Sequence, residues 1–244
     1  MARKKVVLVI VEGPTDEDAL GIVFKKYFDN YSQNALVEVM HCDITTEWNG
    51  YSKSIREKIT DVVKKNAQKN KYNSGDYSQI IHIVDTDGAF IDDKLVIEDT
   101  SIDTVSYSLT NIICKDRIKI IERNAQKSKN LRLLVKMKTI WNVIPYHVYY
   151  MSCNLDHVLY DIQNSSNEEK EQNAHEFAKK YRNNVIGFMN FISSSLFSIN
   201  CPYKETWEFI QKGVNSLERH TNLQLCFEGK EFVVESENLE NDIK

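Results

Sequence analysis

The chain has 244 residues, 42% of them hydrophobic and 27% charged, with twelve Tyr and ten Phe, which fits a folded globular protein and excludes an intrinsically disordered one. A formal net charge of −4 excludes a globally basic nucleic-acid coat but leaves room for a local basic track. Five cysteines, at positions 42, 114, 153, 201 and 226, form no CxxC pair, which argues against zinc and a disulfide framework and for free thiols in a reducing compartment.

The N-terminus, MARKKVVLVIVEGP, places basic residues before an apolar run, as a signal peptide does. The run Val6–Val11 is shorter than the usual ~7–15 residues, and Glu12-Gly13-Pro14 stands where a small-residue cleavage site would be. No stretch approaches the ~18 apolar residues of a membrane span, so a cytoplasmic protein without membrane association is expected. A short β-branched run bounded by turn residues reads as a strand buried on both faces. Gly13 permits a sharp turn and Pro14 suits a helix's first turn, which leaves Glu12 at the carboxyl end of a core strand, where open α/β sheets bind ligands.

Thr15–Asp29 follows as an amphipathic helix with Thr15 as N-cap, acids in its first turn and Lys25 and Lys26 late. Ala35–Ile44 reads as a second strand, Asn49-Gly50 as a turn, and Tyr51–Lys71 as a Lys-rich helix burying Ile55, Ile59, Val62 and Val63. Gln79–Val84 is a third buried strand, ending at Asp85-Thr86-Asp87-Gly88. The order β-α-β-α-β with short connections marks a mostly parallel, Rossmann-like sheet with helices on both faces.

Residues 89–113 look irregular, and with the following helix they form an insertion over 89–140. Lys115–Lys138 is that helix, with nine basic residues against Asp116 and Glu122. Lys115, Arg117, Lys119, Arg123, Lys127, Lys129 and Arg132 are its candidates for a phosphate-backbone track, since phosphate neutralisation dominates nucleic-acid affinity. Trp141–Met151 is a further strand, which Pro145 marks as an edge or an interruption. Ser152–His157 leads into a short helix through Ile162, where Asp156 is a candidate extra metal ligand and His157 a candidate auxiliary group. Gln163–Asn167 reads as a linker, Glu168–Leu196 as one long helix with an aromatic stripe, Tyr203–Leu217 as another, and residues 235–244 as a frayed acidic tail. The expected division is therefore a catalytic domain over 1–162 and an α-helical C-terminal region over 168–234, whose aromatic face suits packing or a homodimer contact.

Two core strands thus end in carboxylates, Glu12 on the first and Asp85 and Asp87 on the third, and a parallel sheet brings both ends to one rim. Asp85 and Asp87, two residues apart, can face one ion together. Clustered carboxylates repel each other unless a cation is present, and hard oxygen donors without His or Cys suit Mg²⁺ or Mn²⁺. Asp16, one helical turn on, could support that ion or hold a second.

VEGPTD followed by a hydrophobic strand ending in DTD resembles the TOPRIM domain of topoisomerases, bacterial primases, recombination proteins and OLD-type nucleases. The phrase from Val11 to Leu20 is most similar to OLD-type nucleases and to small stand-alone TOPRIM proteins of bacterial anti-phage defence. The resemblance spans roughly residues 4–90. It implies Glu12, Asp85 and Asp87 as metal-binding and catalytic residues of a nuclease, with the basic helix carrying the strand. OLD-type nucleases carry an ATPase domain, and this chain has no GxxxxGK[ST]. Either it acts alone or a separate ATPase regulatory protein controls it. Two other readings compete: a partner-regulated binding or signalling protein without autonomous activity, and a HAD-like phosphatase with Asp85 as nucleophile and Asp87 as general acid, suggested by IIHIVDTDG. In that second reading two βα units would precede a motif that normally heads its fold, and VEGPTD would have no role.

Overall fold

A computed structural model describes residues 4–31, 35–45 and 53–227. Strands β1 (Lys5–Val11), β2 (Ala35–His41), β3 (Tyr77–Asp85), β7 (Thr139–Ile140) and β8 (Ile144–Met151) form one five-stranded sheet in the order β2-β1-β3-β8-β7. The first four in that order run parallel, and only the two-residue β7 is antiparallel. Along β1, Val7, Val9 and Val11 face one layer while Val6, Leu8 and Ile10 face the other. This is the alternation expected of a strand with helices on both sides.

One layer is built from α1 (Pro14–Tyr31), α4 (Leu155–Tyr160), α5 (Asn167–Tyr181) and α6 (Val185–Ile192). The other is built from α2 (Ile55–Asn70), α3 (Arg117–Lys136) and α7 (Tyr203–Phe209). Each fully buried Val, Leu or Ile of the central strands contributes about 1.5–3 kcal/mol. The chain is therefore an α/β protein with a mostly parallel mixed sheet flanked by helices. No helix among the described residues is long and apolar enough to cross a membrane.

Several boundaries differ from expectation, for local reasons. Residues 89–113 contain a second small sheet: β4 (Val96–Glu98) pairs parallel with β6 (Ile112–Cys114), which pairs antiparallel with β5 (Ser106–Tyr107). Its apolar residues are too few and too scattered to form a visible pattern. The expected helix over 168–196 is two helices, because Asn184 accepts a hydrogen bond from the Gly187 amide and caps a new one. The helix over 203–217 stops at Phe209 and continues as turns. Pro145 pairs only with Thr139 of β7 and precedes the β3–β8 ladder, so its missing N–H interrupts nothing.

Residues 163–167 are anchored rather than loose. Asn154 Nδ2 donates to Gln163 O (2.8 Å), Gln163 Nε2 to Leu217 O (2.9 Å), and Asn164 pairs with the Tyr107 backbone. Phe177, Tyr181, Phe188 and Phe227 share one core with Val7, Val9, Phe24 and Tyr27. The aromatic stripe of α5 and α6 is therefore packed within the chain. The expected turn at 49–50 and the tail at 235–244 lie outside the described residues.

Candidate metal centre

The carboxyl ends of β1 and β3 lie side by side, since Ile10, near the end of β1, pairs with His82, near the end of β3. Glu12 leaves β1 there, and Gly13 and Pro14 turn the chain directly into α1. Asp16 closes this turn by accepting the Gly13 amide at 2.8 Å, the back-bond of a helix's third residue. Thr45 Oγ1 donates to Glu12 Oε1 at 2.8 Å, and Asn130 of α3 holds the Thr45 carbonyl at 3.1 Å.

The Asp85–Gly88 turn is held by buried Thr86. Its amide donates to Met151 O (3.0 Å), its hydroxyl donates to Ser216 O (2.8 Å), and the hydroxyl also accepts from the Cys153 amide (2.8 Å). The Asp87 amide donates to Cys153 O (2.7 Å), which fixes Asp87 in the left-handed region at φ 47°. Gly88 follows at φ 65°, where a Cβ would come within 2.6 Å of Leu217 Cδ2. Only glycine fits that position. Residues 152–153 and 216–220 thus set the geometry of the DTD turn, with Ser152 N bonded to His220 O and Cys153 N to Ser216 O.

The centre of the cluster is Lys127. It is fully buried, its ammonium lies 3.1 Å from Glu12 Oε2 and also hydrogen-bonds Asp87 Oδ2, and those two side chains are only 11% and 21% exposed. Arg123, one turn earlier on α3, donates to Asp87 O (2.9 Å) and to the Tyr107 hydroxyl (2.7 Å). Both cations were expected on an exposed phosphate track, and both face inward. The reason is helical spacing: Ile120, Asn124, Lys127, Leu131 and Leu134 make the buried stripe of α3. The same spacing is present in the sequence, where the helix's excess of basic residues masks it.

The remaining basic candidates are dispersed. Arg117 donates to Val96 O (2.8 Å) and Asp93 O (2.7 Å), Lys115 pairs with Asp103 (3.2 Å), and Arg132 bonds Gln211 (2.8 Å) and stacks over Phe90. Lys119 and Lys129 are exposed. A continuous track along α3 is not what the fold presents.

Negative charge exceeds positive charge at the rim. Burial raises Glu12 to about 7, with Lys127 opposing and Asp87 and Asp43 adding to the rise. Burial also raises Asp85 well above the usual carboxylate range, reinforced by Glu12, Asp16 and Asp87. Asp16 rises to about 6 through burial, opposed by the Gly13 amide and reinforced by Asp156. Burial acts on Asp87 too, but Lys127 and Arg123 outweigh it and hold this carboxyl below its ordinary value. Burial opposes the charge on Lys127, but Asp87, Glu12 and Asp85 outweigh it and keep the ammonium protonated. Two like charges at 4 Å repel by about 4 kcal/mol at an effective dielectric of 20, so acids gathered at one rim are costly unless cations lie among them, here Lys127 and Arg123 acting on Asp87 and Lys170 on Asp16.

Asp156 adjoins Asp16, is buried, and has Lys170 at 3.9 Å, which extends the acidic rim towards α5. His157 is elsewhere: its neighbours are Asp161, Arg219 and His220, and burial holds it neutral, at about 4. Thr45, Thr86 and Asn130 escaped the sequence reading because hydroxyl and amide residues carry no periodic signal.

Among the described residues no group of three or more His, Cys, Asp or Glu side chains is spaced to hold a metal ion. The donor chemistry nevertheless fits a hard divalent ion: every acid offers oxygen, and burial, reinforced by neighbouring acids, makes three of the four rim carboxyls resist ionisation. No protein-family model matches this chain, and neither does any curated protein or any solved structure.

Proposed function

We propose that the chain is a Mg²⁺- or Mn²⁺-dependent nuclease of TOPRIM-like fold, acting on the phosphodiester bonds of RNA or DNA in the cytoplasm. The observation that carries this reading is the meeting of Glu12, Asp85 and Asp87 around a buried lysine on one rim of a parallel sheet, with Asp16 acting on Asp85 from the same rim. Asp85 and Asp87 would hold the ion, with Glu12 and Asp16 completing its surroundings. Such an ion, when bound, neutralises charge on phosphate oxygens. Glu12, with a proton affinity raised close to neutrality, is suited to exchange a proton during the reaction. Arg123 fixes the Asp87 backbone, and Thr45 orients Glu12. The same convergence favours a shared-cation site over a lone aspartyl nucleophile, because Glu12 has a place in it.

The test is incubation of the purified chain with tRNA, plasmid and single-stranded DNA in Mg²⁺, Mn²⁺ or EDTA. Metal-dependent cleavage suppressed by EDTA is expected, and intact nucleic acid under every metal condition rejects an autonomous nuclease. A specific observation favours a regulated version of this reading, in that Lys127 already pairs with Glu12 and Asp87; the proposed regulator is a separate ATPase of an anti-phage system. In that version cleavage appears only when the partner is added.

A further inference from the structure

Lys127 is the largest anomaly of the molecule. A lysine with no exposed surface is rare unless paired, and this one lies on the apolar stripe of a helix, between Ile120 and Leu131. Its methylenes pass the buried face of α3 and its ammonium touches one oxygen each of Glu12 and Asp87, carboxylates that reach the same point from β1 and from the turn after β3. The second Glu12 oxygen accepts from Thr45, which orients the glutamate with its other oxygen on the lysine.

We propose that Lys127 is an internal counter-ion occupying the place of the divalent ion, so that it competes with the metal for Glu12 and Asp87 and is displaced when the metal binds. The inference rests on the metal reading of this rim and adds its regulation. Without a cation the four acids repel one another, and a tethered ammonium supplies the missing charge at high effective concentration. A divalent ion carries twice that charge, and repulsion between two cations on the same pair of oxygens opposes their joint occupancy. The freed ammonium, on a four-carbon stem, then has the reach to swing to an incoming phosphate while remaining at the rim.

The competition is read by Mn²⁺ binding, measured by electron paramagnetic resonance of the free ion, in the native chain and in Lys127→Met and Lys127→Gln. Both variants are expected to bind Mn²⁺ at least tenfold more tightly and to gain more in melting temperature from Mn²⁺ than the native chain. In the native chain itself, amine-reactive labelling of Lys127, located by peptide mass mapping, is expected to rise at saturating Mn²⁺; this arm holds even if neither variant folds. Equal or weaker Mn²⁺ binding by the folded variants, or unchanged labelling of Lys127, overturns the displacement and leaves a structural ion pair, with the metal site intact. Absence of Mn²⁺ binding in native chain and variants alike overturns the metal reading and the displacement with it.

Discussion

Two carboxylate centres lie in the same sheet, and they meet the cost of removing charge from water in opposite ways. On the edge strand β2, Glu38 accepts hydrogen bonds from Asn66 (2.9 Å), Asn70 (2.8 Å) and the Tyr72 hydroxyl (2.9 Å), three neutral donors for one acid. At the carboxyl rim, Glu12 and Asp87 share the one Lys127 ammonium, and no hydrogen bond from a described residue reaches the Asp85 carboxylate. A carboxylate with enough neutral donors holds structure together. A group of carboxylates with too few donors is unstable by itself, and such an excess persists where a ligand is to be bound.

The contrast can be broken most decisively at Asp85. Asp85→Asn and Glu12→Ala should each lower metal-dependent cleavage by about 10²–10⁴-fold, measured as initial rates on the best substrate. Asp85→Asn should also raise unfolding stability by about 0.5–2 kcal/mol, because it removes a strained charge. Glu38→Ala should do the reverse, lowering stability by roughly 1–3 kcal/mol through orphaned donors while leaving cleavage within about twofold. Equal losses of activity at both centres would erase the distinction.

His82 tests the structural side from a different angle. It is fully buried with Nδ1 against the Tyr146 hydroxyl (2.7 Å), and burial lowers its proton affinity to about 3. The unfolded chain takes up this proton below about pH 6.5 while the folded chain refuses it, so its contribution is complete above that pH. Stability should then fall by up to about 1.4 kcal/mol per pH unit on going from 6.5 towards 3. Denaturant titrations of native chain and His82→Asn over pH 4–7 should show a shallower acid limb in the variant. A parallel limb would remove His82 as its cause.

The smallest expected effect concerns α3. Lys119→Ala with Lys129→Ala should weaken nucleic-acid binding only a few-fold and reduce the salt slope by about one for each phosphate no longer neutralised, read by fluorescence anisotropy across salt concentrations. A larger effect would restore the exposed track that the fold replaces with an inward-facing Arg123 and Lys127.

How far the sequence carried the reading follows from which signals are periodic. Val6–Val11 and Gln79–Val84 were legible as buried strands because each is a compact apolar run ending in turn residues, and this alone placed Glu12 beside Asp85 and Asp87. Lys127 was misplaced because nine bases over one helix invite an electrostatic explanation, whereas the 120-124-127-131-134 stripe assigns its direction. The break at Asn184 has a weak local signal: Asn favours caps over helix interiors, but with apolar residues on both sides only its bond to Gly187 marks the new start. The clamp on Thr86 joins groups 130 residues apart, which no local pattern can encode.

That clamp has a consequence for the making of the protein. Ser216 and His220, which hold the DTD turn and the strand end beside it, are translated long after Asp85 and Asp87. A ribosome that has finished the acidic motifs has not yet made the segment that shapes them. A growing polypeptide therefore carries the acids of the rim without the contacts that shape their turn, and those contacts form only once synthesis has passed His220.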